Sequence, residues 1–169
     1  MAEPLSLTLV RHAKSSWQVA GLDDFHRPLN HRGLADAVRM PAHIAKYVAK
    51  PQLVCSSAAV RAVQTCQSLC DEYAIANEHV LVDSALYLAS AEEVLDYLCE
   101  NAQHARRVFV IGHNPGLTDL FNHLVDEEID NLPTFAVANL NLAIKDWSAV
   151  TAHCARVQRL MLPREIRCK

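Results

Sequence analysis

Glycine is scarce, with four residues in a chain of 169, and no Gly/Ser-rich linker, low-complexity tract or internal repeat divides the sequence. One domain over residues 1–169 is therefore expected. No apolar run approaches the roughly 20 residues of a membrane span, and no basic n-region followed by an apolar segment opens the chain. Neither membrane insertion nor export is expected. The six cysteines, Cys55, Cys66, Cys70, Cys99, Cys154 and Cys168, include no C-x-x-C pair and sit mostly in apolar patterns. They read as reduced thiols of a cytoplasmic protein. An excess of positive charge is also missing: the formal net charge is -3 and the pI about 6.3. Nothing in that balance attracts nucleic acid or an anionic membrane. His26, His31, His43, His79, His104, His123 and His153 lack any ligand-like pairing such as H-E-x-x-H, so they read as surface or structural and no metal or cofactor is expected.

What the chain does contain is apolar material, 51% of its residues, enough for a two-sided core. Its periodicity alternates. Strands are predicted near 5–11, 52–56, 80–83 and 107–112, and helices near 33–49, 59–73, 90–103 and 115–125. This order predicts an α/β fold, a three-layer α/β/α sandwich with a mostly parallel central sheet. Pro41 should kink or divide the first helix, because it removes a backbone hydrogen bond. Phe135 to Ile144 and Arg156 to Leu162 read as two further strands joined through Asp146-Trp147-Ser148, an edge pairing that extends the sheet.

Three strand ends carry the chemistry. Leu5, Leu7 and Leu9 alternate with Ser6 and Thr8, and this strand runs out into Arg11-His12. In α/β sheets ligands collect beyond the carboxyl ends of strands, where an imidazole can act as nucleophile and a guanidinium can clamp an oxyanion. Leu53-Val54-Cys55 leads through a small-residue turn into a helix marked by Val60, Val63, Cys66, Leu69, Cys70 and Tyr73, which leaves Arg61 in its first turns, near the pole that favours anions. Val108 to Ile111 ends on Gly112-His113, after which Asn114 can cap and Pro115 can take the first position of a helix faced by Leu117, Leu120, Phe121, Leu124 and Val125. Each feature alone has a bland reading as a surface pair or a solvated arginine. Together they form a cationic pocket.

At these residues the chain resembles the histidine phosphatase superfamily, the phosphoglycerate mutase-like group, and within it the SixA-type phosphohistidine phosphatases. The motifs are Leu9-Val10-Arg11-His12-Ala13, then Ser57-Ala58-Ala59-Val60-Arg61-Ala62-Val63-Gln64-Thr65, and Gly112-His113-Asn114-Pro115. A fourth stretch, Asp24-Phe25-His26-Arg27-Pro28-Leu29-Asn30-His31-Arg32-Gly33, is similar to the SixA-like branch. The resemblance covers roughly residues 5–145. It implies a phosphoglycerate mutase-like fold and a phosphatase in which His12 attacks phosphorus while Arg11, Arg61 and His113 hold the equatorial oxygens. The implied partner is a phosphohistidine-bearing signalling or phosphotransfer protein, or otherwise a small phosphorylated ester or phosphoramidate. Lys14, Ser15, Arg27 and Asn114 complete the candidate substrate-binding set with Arg11 and Arg61.

Two departures matter. Ala13 stands where the family usually has glycine, which restricts positive φ. Larger members also carry an acidic proton donor, and no clear equivalent is visible here. Asp83, Glu92 and Glu93 are the candidates, although Asp83 equally reads as a turn residue and Ser90 with Glu93 reads as a capping box. A missing acid fits a phosphoramidate substrate, whose leaving nitrogen can already be protonated, better than an ester, for which a positioned donor contributes about 10²–10⁴-fold. Cys55 and Arg61 also show the C-x₅-R spacing of cysteine phosphatases, but the five intervening residues contain no glycine to turn backbone amides inward and Cys55 continues a strand pattern. Other roles stay open. Lys14 and Ser15 either touch substrate or belong to an ordinary loop, Trp17 either walls the pocket or anchors its loop, and Arg27, extended before Pro28, either reaches the pocket from an overlying loop or sits on a mobile one.

Overall fold

Leu5, Leu7 and Leu9 alternate with Ser6 and Thr8 because the first strand, β1 (Leu5–Arg11), has two differently furnished faces. In the computed structural model, which describes residues 4–166, the leucines pack against helices on one side. On the other side Asn139 donates to the half-buried Ser6 Oγ at 3.0 Å and to the buried Thr8 Oγ1 at 2.9 Å, so both hydroxyls have a partner.

Chain order is β1, α1 (His31–Ile44), β2 (Leu53–Ser57), α2 (Val60–Tyr73), β3 (Val80–Asp83), α3 (Ala91–Asn101), β4 (Arg107–Gly112), α4 (Gly116–Leu124), β5 (Val137–Leu142), β6 (Ala155–Met161) and α5 (Pro163–Ile166). The six strands form one sheet in the order β3-β2-β4-β1-β5-β6. The first four are mutually parallel, while β5 runs antiparallel to β1 and β6 antiparallel to β5. Helices α3 and α4 cover the face that presents Leu7, Cys55 and Val110, and helices α1 and α2 cover the face that presents Val10, Val54 and Phe109. The result is the three-layer, mostly parallel α/β architecture of the phosphoglycerate mutase-like fold. Because β4 inserts between β2 and β1, the chain's crossovers change face beside the carboxyl ends of these three strands. That is the usual place of a ligand site in an open sheet.

Several local expectations change. Helix α1 starts at His31, where Asn30 Oδ1 accepts the Gly33 N–H at 2.9 Å, and it ends at Ile44 instead of running to 49. After it, Lys46 and Tyr47 donate to carbonyls three residues back, which tightens the chain into a turn. Pro41 does not divide the helix; it lies inside it, on the buried side. The last pairing is β5 with β6, joined across a short 3-10 turn at Trp147–Ala149, and β6 forms the sheet edge as its sequence pattern suggests. Cys55, Cys66, Cys70, Cys99 and Cys154 are free thiols, and Cys168 lies outside the described residues. Among the described residues no helix is long and apolar enough to cross a membrane.

Two glycines permit close backbone approaches that frame the site. A Cβ on Gly33 would be driven into the Lys14 carbonyl, and one on Gly116 into the Ala89 carbonyl. Both obstacles are main chain, so neither can rotate away. Gly116→Ala is therefore expected to lower the free energy of unfolding by about 1–3 kcal/mol, read as a lower urea midpoint at unchanged m-value. An unaltered midpoint would show that α4 does not press on the turn before α3.

Candidate active site

Parallel pairing brings the key residues together before any side chain is considered. Arg11 lies opposite Gly112, and Ser56 lies opposite Ile111. His12, Ser57 and His113 consequently sit side by side at the carboxyl edge of β1, β2 and β4. The His12 N–H donates to the Gly112 carbonyl at 3.1 Å, and the Phe135 N–H bridges the carbonyls of Arg11 and His12 at 3.0 and 3.1 Å. Ala13 raises no conformational difficulty: its φ is not in the left-handed region, its side chain is buried, and its N–H donates to Thr65 Oγ1 at 3.0 Å.

Arg61 enters from the first turn of α2 and is only 2% exposed. Its Nε donates to His12 Nε2 at 3.2 Å and its Nη2 to His113 Nδ1 at 3.3 Å. These contacts assign the tautomers. A carbonyl can only accept, so His12 carries its hydrogen on Nδ1, which donates to the Ala13 oxygen at 2.7 Å; a guanidinium can only donate, so the lone pair of His12 lies on Nε2. By the same argument His113 has its lone pair on Nδ1 and its hydrogen on Nε2, directed at Ser57 Oγ at 2.8 Å. The two rings stand 5.1 Å apart.

Electrostatics keeps both rings neutral. Burial moves the His12 pKa down to about 4; the Ala13 carbonyl opposes this, while the charges of Arg61, Arg11 and Arg27 reinforce it. His113 falls to about 3 through burial, His12 and Arg61, with Asp24 opposing. A neutral imidazole with its lone pair on Nε2, held by nothing stronger than the Arg61 hydrogen bond, is the form that can attack an electrophile.

Arg11 reaches the same edge, donating through Nη1 to the Leu132 carbonyl at 2.7 Å and to Asn131 Oδ1 at 3.2 Å. Its Nε is buried without a partner, as is Asn114 Oδ1. Asn114 does not cap α4 as expected. The Asn114–Pro115 peptide is cis, Pro115 takes the cap position, and Asn114 Nδ2 donates to Asn131 Oδ1 at 2.7 Å and to the Leu132 carbonyl at 3.0 Å. Arg11 and Asn114 thus hold the same loop. Ser15 is buried and tied to Arg27, whose Nη1 donates to Ser15 Oγ at 2.7 Å. Arg27 stacks on Trp17 at 3.5 Å, so Trp17 anchors the loop through this guanidinium. Lys14 is exposed, and its carbonyl accepts the Asn30 N–H at 2.9 Å.

The carboxylate at the site is none of the three weighed from the sequence. Asp83 Oδ1 accepts the Ala85 N–H at 2.9 Å at a turn, Glu93 completes the capping box with Ser90, and Glu92 lies exposed in the first turn of α3. Asp24 is there instead, with Oδ2 accepting from Arg61 Nη2 at 2.8 Å and from the Tyr87 hydroxyl at 2.6 Å. Burial opposes its ionisation, but the bonds from Tyr87, Arg27 and Arg61 outweigh that and hold its carboxyl well below the usual range. Ser57 and Thr65 lie inside a quoted motif and Asp24 opens another, so their signal was present; Tyr87, edge-on to His113, had none. Cys55 is no rival nucleophile, because burial in the sheet pushes its thiol up to about 12. Among the described residues no group of three or more His, Cys, Asp or Glu side chains gathers as a metal site.

Fold and site together define a class: an α/β phosphatase with a cationic, imidazole-lined pocket beyond the carboxyl edge of a parallel sheet. A family model of the histidine phosphatase superfamily, branch 1, matches residues 7–86, which carry Arg11, His12, Asp24 and Arg61. The fold is similar to that of a protein assigned as phosphohistidine phosphatase SixA from Agrobacterium tumefaciens, at TM-score 0.81 and 25% identity over 96% of this chain and 100% of that one. A protein histidine phosphatase SixA complexed with tungstate matches at TM-score 0.79 and 22% identity, covering 96% and 100%. A mycobacterial glucosyl-3-phosphoglycerate phosphatase shares the fold at TM-score 0.66 and 16% identity, covering 92% and 98%. An uncharacterised chloroplastic protein of Arabidopsis thaliana is 29% identical, over 86% of this chain and 70% of that protein. The chain thus matches the histidine phosphatase superfamily over residues 7–86 and shares the fold of the SixA proteins over nearly its whole length.

The lowered imidazoles set a pH dependence. The unfolded chain protonates them near 6.5 but the folded chain only near 4 and 3. Between those limits the unfolded state binds more protons, so their contribution to stability is complete above about pH 6.5 and is lost as pH falls toward 4. Imidazole ¹⁵N spectra should accordingly show His12 unprotonated at pH 5.5; a His12 midpoint near 6.5 would contradict the buried, cation-flanked geometry.

Proposed function

We propose that this protein is a phosphohistidine phosphatase that forms a covalent intermediate on His12. The observation that carries the reading is the hydrogen-bond pattern: a lone pair on His12 Nε2 beside a buried guanidinium, with the carboxylate that reaches this site, Asp24, already committed to four donors. Asp24 is held ionised, and Asp83 and Glu93 serve as caps. A substrate must then bring its own good leaving group.

Phosphohistidine does so. His12 Nε2 forms a bond to phosphorus as the phosphorus–nitrogen bond of the substrate breaks, and that electron pair goes to an imidazole nitrogen whose ring already carries a proton. Water next attacks the phosphorylated His12, releasing orthophosphate and restoring the neutral ring. Arg61 transfers its hydrogen bonds from the imidazoles to phosphoryl oxygens, and Arg11 offers its unpartnered Nε. A loose phosphoryl transition state is stabilised chiefly by such positioned charge. An arriving phosphoryl dianion also favours protonation of His113, which makes it a further donor. Lys14, exposed beside the pocket, is suited to contact a protein carrier. Five free thiols among the described residues support a reducing compartment such as the cytoplasm. A small phosphoester is the second reading, favoured by the fold shared with the mycobacterial phosphatase.

Turnover of a phosphohistidine-bearing phosphotransfer domain, measured beside para-nitrophenyl phosphate and 3-phosphoglycerate, separates these readings. The phosphoramidate is expected to be preferred in kcat/KM by at least about 10²-fold, the size of a missing general acid, and His12→Ala should abolish its hydrolysis. Preference for either ester would overturn the phosphohistidine reading.

A further inference from the structure

Arg61 is a long, flexible side chain whose useful edge is the one facing the two imidazoles. Its other edge is gripped: Nη2 donates to Asp24 Oδ2 at 2.8 Å, and Nη1 donates to the main-chain carbonyl of the same residue. We infer that Asp24 is a positioning residue, which sets the plane of the Arg61 guanidinium so that Nε and Nη2 address the reacting phosphoryl group. This rests on the reading of His12 as nucleophile and Arg61 as clamp.

Asp24 is itself immobilised. Its Oδ1 accepts from Arg27 Nε at 3.0 Å and Nη2 at 2.8 Å, and its Oδ2 accepts from Tyr87 as well as Arg61. Four donors fill the lone-pair sites of a carboxylate. Nothing is left to contact a leaving group, and what remains to it is holding. The loop is also tied to the helix that it serves, because the Phe25 carbonyl accepts the N–H of Val60, the residue before Arg61, at 3.0 Å. A buried guanidinium needs a counter-charge, and Asp24 is the carboxylate paired with Arg61 among the described residues.

A competing account treats Asp24 as a resident anion that substrate must displace, and it predicts the opposite sign. Positioning predicts that Asp24→Asn lowers kcat on the order of 10²-fold, the penalty for a small misplacement of a catalytic group, while orthovanadate affinity changes by less than about threefold. In the same variant the Arg61 Nε–H resonance, slowed in exchange by its bond to His12, should broaden or vanish. Tyr87→Phe removes one of the four donors and should lower kcat by only about fivefold or less. Higher kcat in Asp24→Asn, or native kcat with a native Arg61 resonance, overturns the proposal; equal losses of kcat and vanadate affinity would also overturn it, by showing general collapse of the pocket. Should Asp24→Asn not fold, Asp24→Glu, which keeps the charge but lengthens the reach, carries the test: a displaced Arg61 resonance with reduced kcat supports positioning, and native behaviour overturns it. The resonance does not depend on turnover. If phosphohistidine proves not to be the substrate, its loss in Asp24→Asn still supports the placement of Arg61 by Asp24.

Discussion

A guanidinium that is almost wholly removed from water must be neutralised, hydrogen-bonded and aimed, and the rest of the site follows from how this chain does that to Arg61. Leaving such a charge unpaired would be strongly destabilising. Asp24 supplies the opposite charge on one edge, and two imidazole lone pairs accept on the other. The second half of that arrangement has a chemical consequence. A guanidinium donates to an imidazole only if the facing nitrogen is unprotonated, so Arg61 selects the tautomer that leaves a lone pair on His12 Nε2, as the proposed nucleophile requires. Burial and the neighbouring cations act in the same direction.

The sheet makes this pairing possible. Insertion of β4 between β2 and β1 puts three carboxyl ends in a row, so that residues 12, 57 and 113 become neighbours although they are far apart in the chain. Helix α2 starts at the end of β2 and brings Arg61 in with its first turn. The excursion between β1 and α1 then folds back, with Ser15 bridged to Leu29, and delivers Asp24 and Arg27 from above. Charge at the site is balanced toward binding an anion: Arg61, Arg11 and Arg27 all act on His12, and Asp24, the carboxylate paired with Arg61 among the described residues, is already committed. The same commitment withholds a proton donor, which is why the chemistry points to a leaving group that needs none.

Much of this was legible from residue patterns. Period-two leucines in β1 and the three- and four-residue spacing in α2 and α4 report burial directly, and motifs placed at the ends of those elements inherit their reliability. His12, Arg61 and His113 were visible for that reason. Tyr87 was not, and Asp24 opened a recognisable stretch without its role being readable, because those roles are set by a loop contact to Arg61 across 37 residues and a hydroxyl bond across 63, which no local periodicity encodes. The acid candidates failed for the complementary reason. Asp83 and Glu93 occupy positions where local backbone donors claim their oxygens. Asn114 was misread as a cap because its residue type suits one, whereas the fold spends its amide on the loop at Asn131 and Leu132.

The central claim is that phosphorus becomes bonded to Nε2 of His12. Rapid quench of native enzyme with a phosphohistidine-bearing protein, followed by mass-spectrometric mapping and ³¹P NMR under alkaline conditions, tests it most directly. The account predicts an acid-labile phosphoryl group on His12, bonded at Nε2, that appears and decays at rates compatible with turnover. A native enzyme that turns over without any phosphoryl-enzyme, or that carries the group on His113 or Cys55, would contradict it.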